Sequence, residues 1–131
     1  VEFVSGTDKL NVDALVGDVS GSAVVTFDGT VVASVADGAI VVNAATASVP
    51  ATNTTEAAAL FEANSAANGK MTLSAGREVV LVSQDSNGLA DTDFDAEVFI
   101  VKNVGGTISA EQIAIIDNAA DSSTLAFGDF V

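Results

Sequence analysis

The sequence contains no cysteine, histidine, tryptophan or tyrosine, and these absences remove several classes of function. Without cysteine there are no disulfides and no thiolate nucleophiles, and without histidine the Ser-His catalytic pairs and imidazole metal sites are excluded. Only four side chains are basic against eighteen acidic ones, which gives a formal net charge of -14. Binding to nucleic-acid phosphates needs clustered lysine and arginine, so we expect no nucleic-acid partner.

Long hydrophobic runs and catalytic motifs are also missing. The apolar runs are short and interrupted, so the sequence predicts no transmembrane helix and no membrane insertion. The nucleophile motifs G-x-S-x-G and S-x-x-K do not occur. A pair of carboxylates for glycoside hydrolysis is available, but sugar rings are usually bound by tryptophan and tyrosine, which this chain lacks. We therefore expect the chain not to be an enzyme.

What the sequence does contain is apolar residues in quantity. They make up 49% of the 131 residues, and the mean hydropathy is +0.48. A chain of this length can build one hydrophobic core, and its valine and isoleucine content argues against disorder. We expect a single β-rich domain over residues 1–131, with a flexible linker within it at residues 44–53, which hold the only proline.

Two Asp-Gly pairs in the first third of the chain predict tight turns. Asp28-Gly29 and Asp37-Gly38 separate three short runs rich in valine. Asp-Gly between β-branched runs is a strong hairpin signal, because the turn needs positive φ. The pattern predicts a three-stranded meander over about residues 22–43. Since valine occupies both faces of these runs, we expect the sheet to be covered on both sides.

One helix is predicted, at about residues 54–67. Asn53 is the expected N-cap, with Glu56 as its reciprocal partner in a capping box. The pair at residues 68–69, Asn-Gly, is the expected C-terminal stop. One apolar stripe along the helix is formed by Ala57, Leu60 and Phe61. We expect this stripe to pack into the core.

The second half of the chain returns to strand patterns. Predicted strands are Lys70–Leu73, Arg77–Gln84, Glu97–Asn103, Gln112–Asp117 and Leu125–Val131. Gly105-Gly106 is the expected turn between two of them. Together these elements predict a mainly β fold, an antiparallel β-sandwich-like domain with one short α-helix against one end or face.

The densest acidic segment of the chain is a candidate calcium site. Its oxygen-bearing side chains are Asp85, Asn87, Asp91, Asp93 and Asp95. Calcium takes six to eight hard oxygen ligands from a flexible loop, and calcium is the one cofactor that the sequence suggests. The spacing is not that of an EF-hand. The alternative is a solvated hairpin loop in which the same side chains satisfy turn backbone.

Three segments of the chain follow patterns found together in one group of proteins. Gly6–Leu15 contains G-x-D-x-L-x-V followed by D-A-L, Glu97–Val101 is an apolar strand after an Asp-rich loop, and Thr124–Val131 is an apolar ending with an acidic residue. In these features the chain resembles the C-terminal regions of large bacterial surface proteins exported by type I secretion, the RTX-type and S-layer-like group. The resemblance implies an extracellular protein of the bacterial cell surface.

Composition and resemblance together predict a non-catalytic structural module that associates with itself into a surface layer or filament, or with other surface proteins. Four basic side chains are few to protect the edges of a sheet, and lysine is the usual guard. The terminal segments Val1–Val4 and Leu125–Val131 are short and apolar, and two outcomes are open: one of them adds to a neighbouring subunit's sheet, or both complete the chain's own sheet and leave a monomer. The alternatives are a calcium- or carbohydrate-binding module and the C-terminal secretion module of a secreted hydrolase.

Overall fold

The computed structural model describes residues 9, 11, 24–27, 35, 37–43, 51–62, 71–84 and 96–116. These residues contain five strands and one helix. The elements are β1 (Val24–Phe27), β2 (Ile40–Asn43), α1 (Thr54–Ala59), β3 (Glu78–Gln84), β4 (Ala96–Val104) and β5 (Thr107–Ile116). The prediction of a mainly β fold with one short helix is confirmed.

The five strands form one sheet in the order β1-β2-β3-β4-β5. β1, β2 and β3 run parallel to one another, whereas β3, β4 and β5 follow one another as antiparallel neighbours. The antiparallel half agrees with the predicted architecture, and β1 and β2 extend it with a parallel half. All strands within the described ranges belong to this sheet, so the second layer of a sandwich is not among them.

The predicted meander over residues 22–43 is wrong, because β1 and β2 are direct neighbours and run parallel. The Asp37-Gly38 turn does form, with Gly38 at a φ of 69°. Its polar groups, however, are bonded to the start of β3. The Gly38 N–H donates to the Glu78 carbonyl at 2.8 Å, and the Glu78 N–H donates to the Asp37 carboxylate at 2.9 Å. These bonds align β2 with β3, so that β2 lies between β1 and β3.

Both faces of β3 and β4 are buried. One face joins the hydrophobic core together with α1 and the residues after it; its strand members are Val79, Leu81, Phe99 and Val101. The other face is at most 4% exposed at Val80, Val82, Val98 and Ile100. Continuous apolar runs, unlike alternating ones, are typical of strands that are covered on both sides. The runs in β3 and β4 therefore match their burial.

The N-terminal cap of α1 forms at the predicted residue. The Asn53 Oδ1 accepts a hydrogen bond from the Glu56 N–H at 3.0 Å. The Glu56 carboxylate reaches back one residue farther than expected and accepts from the Thr52 N–H at 2.8 Å and from the Thr52 hydroxyl at 2.9 Å. The bond from the Thr52 backbone, followed by that from its hydroxyl, lowers the pKa of Glu56.

The predicted end of the helix at residue 67 is wrong, since the last helical residue is Ala59. The Leu60 carbonyl accepts a hydrogen bond from the Met71 N–H at 3.4 Å, and a longer helix would need that carbonyl for its own ladder. Leu60 and Phe61 are only 1% and 3% exposed, so their predicted burial is confirmed. With six residues, α1 cannot cross a membrane, and the described part of the chain contains no longer helix.

Candidate functional site

The predicted calcium ligands lie outside the described residues. Asp85, Asn87, Asp91, Asp93 and Asp95 all belong to the segment between β3 and β4. The ends of this segment are held together, because Gln84 and Ala96 are partners in the antiparallel ladder. Within the described ranges, no three acidic, histidine or cysteine side chains form a group that could hold a metal ion. The calcium site therefore stays a prediction.

The most distinctive surface of the described fold is the outer edge of β5. β4 lies on one side of this strand, and no described strand lies on the other. β5 is ten residues long, contains Glu111 as its one charged residue, and has no lysine or proline. Edge strands are usually protected by lysine, proline, short length or a bulge. Of these devices β5 has only a register shift opposite Val98 and Phe99.

The side chains of β5 are far more exposed than those of β4. Ile115 is 63% exposed, and the other exposed side chains of the strand are Thr107, Ser109, Glu111 and Gln112. Ile108 and Ala110 are half-buried and pack against the hydrophobic core. The strand is therefore anchored to the domain through one face, and no strand of the described residues covers its outer side.

A two-residue turn fixes where β5 begins. Gly105 and Gly106 have φ values of 62° and 96°, and the type I′ turn of a two-residue hairpin loop needs positive φ at both positions. The turn predicted at this pair is confirmed. β5 starts immediately afterwards at Thr107, whereas the predicted strand began only at Gln112.

Asn103 attaches this hairpin to the rest of the fold. Its Nδ2 donates to the Leu73 carbonyl at 2.6 Å, and its Oδ1 accepts from the Gly106 N–H at 2.8 Å. Its backbone N–H donates to the Arg77 carbonyl at 2.9 Å, and its carbonyl accepts from the Gly76 N–H at 2.8 Å. These four bonds at a residue that is 8% exposed set the position of β5.

The backbone of β5 offers hydrogen-bonding groups along its open side. Val104 and Thr107 flank the two-residue turn and are paired, so they form the first hydrogen-bonded pair of the hairpin. Hydrogen-bonded and non-hydrogen-bonded pairs alternate along an antiparallel ladder. Ile108 and Ala110 therefore occupy non-hydrogen-bonded positions with respect to β4. Their N–H and C=O groups point away from β4, toward the edge.

Two of the described cations, Lys102 and Arg77, have partners outside β5. The Lys102 Nζ is 3.2 Å from the Glu78 carboxylate on β3. The Arg77 guanidinium donates to the Val35 carbonyl at 3.2 Å. Neither cation belongs to β5, whose own sequence supplies Glu111 as its only charge. β5 itself thus lacks the lysine that commonly protects an edge strand, and the nearest described lysine in the ladder is Lys102 on β4, opposite Ser109.

A groove of about 480 Å³ lies beside the end of the hairpin. Its described lining includes Phe61, Glu62, Thr72 and Thr107, and Glu62 carries the only charge among the described lining residues. The polar atoms of Asn103, which also borders the groove, are already hydrogen-bonded. The remaining hydroxyls and aliphatic surface select no particular ligand.

No protein family, curated protein or solved structure matches this chain. The resemblance to type I-secreted surface proteins therefore stays an expectation. The fold itself supplies the candidate site.

Sequence reasoning did not identify β5 as an exposed edge. It assigned the contact with a neighbouring subunit to Val1–Val4 or Leu125–Val131, which lie outside the described residues. A usable signal was present, because the Gly-Gly turn is followed directly by Thr-Ile-Ser-Ala, in which polar and apolar residues alternate. A period of two indicates a half-buried strand, and it extends the predicted strand back to Thr107.

Proposed function

We propose that this chain is a non-catalytic structural module of the bacterial cell surface, which acts outside the cell by associating with copies of itself or with other surface proteins. One observation carries the proposal: β5 is a ten-residue strand at the edge of the described sheet with a single charged residue. A strand edge of this kind can accept another strand, and the main-chain hydrogen bonds then supply the affinity.

The net charge of -14 indicates the conditions under which such association would occur. Two copies repel each other at low ionic strength, because the screening length is about 30 Å at 0.01 M salt and falls to about 8 Å at 0.15 M. A more saline exterior shortens it further. The acidic composition therefore supports a module that assembles in a salt-rich extracellular medium rather than in dilute buffer.

The resemblance in sequence supports the same setting. The segment Glu97–Val101, which resembles a strand of type I-secreted surface proteins, lies inside β4 and is part of an antiparallel hairpin. Its strand character agrees with what the resemblance implies. A cell-surface location and a structural role follow from that likeness as proposals.

Light scattering tests the proposal directly. The intact chain is measured at seawater-like salt with calcium, over a range of protein concentrations, and the samples are examined by negative-stain microscopy. We expect a mass that rises above the monomer with concentration. A strictly monomeric chain under these conditions contradicts self-association and leaves a surface module that does not assemble with itself.

Truncated versions show which strand makes the contact. If removal of residues 1–5 or 125–131 abolishes the higher mass, a terminal segment supplies the added strand. If the mass is unchanged, the contact belongs to the body of the domain.

A further inference from the structure

We infer that β5 pairs with β5 of a second copy, antiparallel and about a two-fold axis that passes through Ala110. The inference rests on the proposed function, because it names the contact by which copies would associate. The partner is argued from three properties of β5: the direction of its backbone groups, the length of its regular part, and the position of its charge.

The backbone groups decide which residues can face each other. Ile108 and Ala110 direct their N–H and C=O groups away from β4, and by the same alternation so does Gln112. In an antiparallel pair, residues with outward-pointing groups must lie opposite one another to exchange hydrogen bonds. The outward N–H and C=O groups are therefore hydrogen-bonded only in registers that place these three residues opposite one another.

The regular part of β5 then favours one register. A register shift opposite Val98 and Phe99 interrupts the alternation after Gln112, so the regular part is Thr107–Gln112. A two-fold axis at Ala110 sets Ile108 opposite the partner's Gln112 and Ala110 opposite the partner's Ala110. All three outward-pointing residues then form hydrogen bonds with the partner. With an axis at Ile108 or Gln112, fewer of them find a partner within the regular part.

The single charge of the strand selects the same register. With the axis at Ala110, Glu111 lies opposite the partner's Ser109, which is uncharged. With the axis at Glu111, the two carboxylates lie directly opposite each other, and like charges in that position destabilise a strand pair. At a net charge of -14 the chain has no excess of cations to offset this repulsion.

A second copy joined through its β1 is the main competing geometry. β5 runs parallel to β3 and hence to β1, because two antiparallel steps separate β5 from β3. A copy added by translation therefore joins β5 to β1 in a parallel pair. β1 has only four residues, and parallel pairing is slightly weaker per residue. The self-pairing of β5 uses a longer strand and the stronger geometry.

Engineered cysteines test the register, because the natural chain has no cysteine. In the inferred dimer, residue 109 of one copy and residue 111 of the other form a non-hydrogen-bonded pair. Their Cβ atoms then lie about 4.5–5.5 Å apart, close to what a disulfide requires. We expect a mixture of Ser109→Cys and Glu111→Cys chains to oxidise mainly to the mixed dimer. Glu111→Cys linking mainly to itself, or no linking above an Ala75→Cys control, overturns the inference.

Charge variants test the same pair without a covalent bond. Ser109→Lys sets a cation opposite the partner's Glu111 twice in each dimer. It also lies opposite Lys102 of its own chain, but in monomer and dimer alike, so we expect the dissociation constant to tighten about twofold to tenfold. Ser109→Glu should weaken it by a similar factor. The matched controls are Ala75→Lys and Ala75→Glu, which change the net charge equally. Ala75 lies in an exposed turn before β3. Equal effects at positions 75 and 109 overturn the inference.

A proline variant tests the backbone contact. Ala110→Pro removes an N–H that points to the open edge, and proline is tolerated on edge strands at such positions. We expect the dimer to be lost while the circular dichroism spectrum stays that of the folded chain. A folded Ala110→Pro chain that still dimerises overturns the inference, and the cysteine test decides if this variant does not fold.

The two proposals fail in distinguishable ways. If the chain associates but neither the cysteine pattern nor the Ser109 charge effects appear, the β5 contact is wrong and self-association stands. If the β5 dimer forms and nothing larger does, the contact is right and an extended surface layer is wrong. If the chain is monomeric at high salt, the β5 contact and self-association are both wrong.

Discussion

The centre and the edge of this sheet use similar residues for different purposes. β3 and β4 bury both faces, and from Val79 to Val82 no side chain has measurable exposure. β5 is built from the same kinds of apolar residues with added serine, threonine and glutamine, yet Ile115 is 63% exposed. Both regions are strands of one ladder, but only the edge keeps backbone groups directed outward.

This contrast separates the residues that determine the stability of the fold from those that would determine association between copies. Changes in the centre should alter the free energy of unfolding, because they remove buried apolar surface. Changes at the edge should alter association and leave the folded monomer nearly unaffected. Each of the following predictions compares one region with the other.

The largest effect is expected for Phe99→Ala at the centre of β4. Phe99 has no exposed surface and belongs to the hydrophobic core, so the substitution should cost about 3–5 kcal/mol of unfolding free energy. Urea denaturation of the two proteins measures the difference. Phe99→Leu is the control and should cost much less. A change below about 1 kcal/mol in Phe99→Ala contradicts a packed centre.

Calcium provides the next largest effect if the segment between β3 and β4 binds it. Binding to the native state alone adds about 2.7 kcal/mol at a hundredfold excess over Kd. We therefore expect millimolar calcium to raise the Tm, and Asp91→Ala with Asp93→Ala to abolish the increase. Magnesium is the control, because any divalent ion screens a charge of -14. An equal increase with magnesium contradicts a specific site.

Asn103→Ala should remove the side-chain hydrogen bonds that hold the β4–β5 hairpin to the rest of the fold. The substitution leaves the Leu73 carbonyl and the Gly106 N–H without their side-chain partner. A lost partner for a buried polar group costs about 1–3 kcal/mol. Thermal denaturation should show the loss, and the exposed Thr72→Ala should show almost none. Equal Tm values for Asn103→Ala and the natural chain contradict the role given to Asn103.

Glu56 supplies a smaller, pH-dependent effect next to the core. Its pKa is lowered in the folded protein, so its contribution is present above the unfolded pKa and is lost as pH falls through the folded one. An acidic group at a helix N-terminus contributes about 0.3–1 kcal/mol. The stability difference between the natural chain and Glu56→Gln should therefore shrink below about pH 4.5. A difference that stays constant from pH 7 to pH 3 contradicts the capping role.

The smallest effect is expected for Ile115→Thr on β5. The side chain is mostly exposed and lies beyond the regular part of the strand, so the unfolding free energy should change by less than about 0.5 kcal/mol. Association should be unchanged as well. A large loss of stability in this variant would show that the edge is part of the core.

Residue patterns predicted the centre better than they predicted the connections. The continuous runs REVVLVSQ and EVFIVKN identified β3 and β4 nearly to the residue, because burial on both faces leaves an unbroken apolar signal. The Gly105-Gly106 turn and the Asn53 cap were also predictable, since each depends on local backbone geometry.

Long-range bonds explain the errors. β1 and β2 were predicted as the first and third strands of a meander, but Glu78, 41 residues beyond Asp37, takes the hydrogen bonds of the second predicted turn. The helix was predicted to continue, but Met71 bonds to the carbonyl of Leu60. Neither partner is visible in a local pattern. The candidate site was missed for a similar reason, because a strand becomes an edge only through its place in the sheet.

Amide hydrogen exchange followed by NMR at increasing protein concentration tests the central claim most directly. The amides of Ile108 and Ala110 point to the open edge, whereas those of β3 and β4 lie inside the ladder. We predict that exchange at Ile108 and Ala110 slows as concentration rises at high salt, while exchange at Val80 and Val101 does not change. Exchange at Ile108 and Ala110 that is independent of concentration would contradict association through β5.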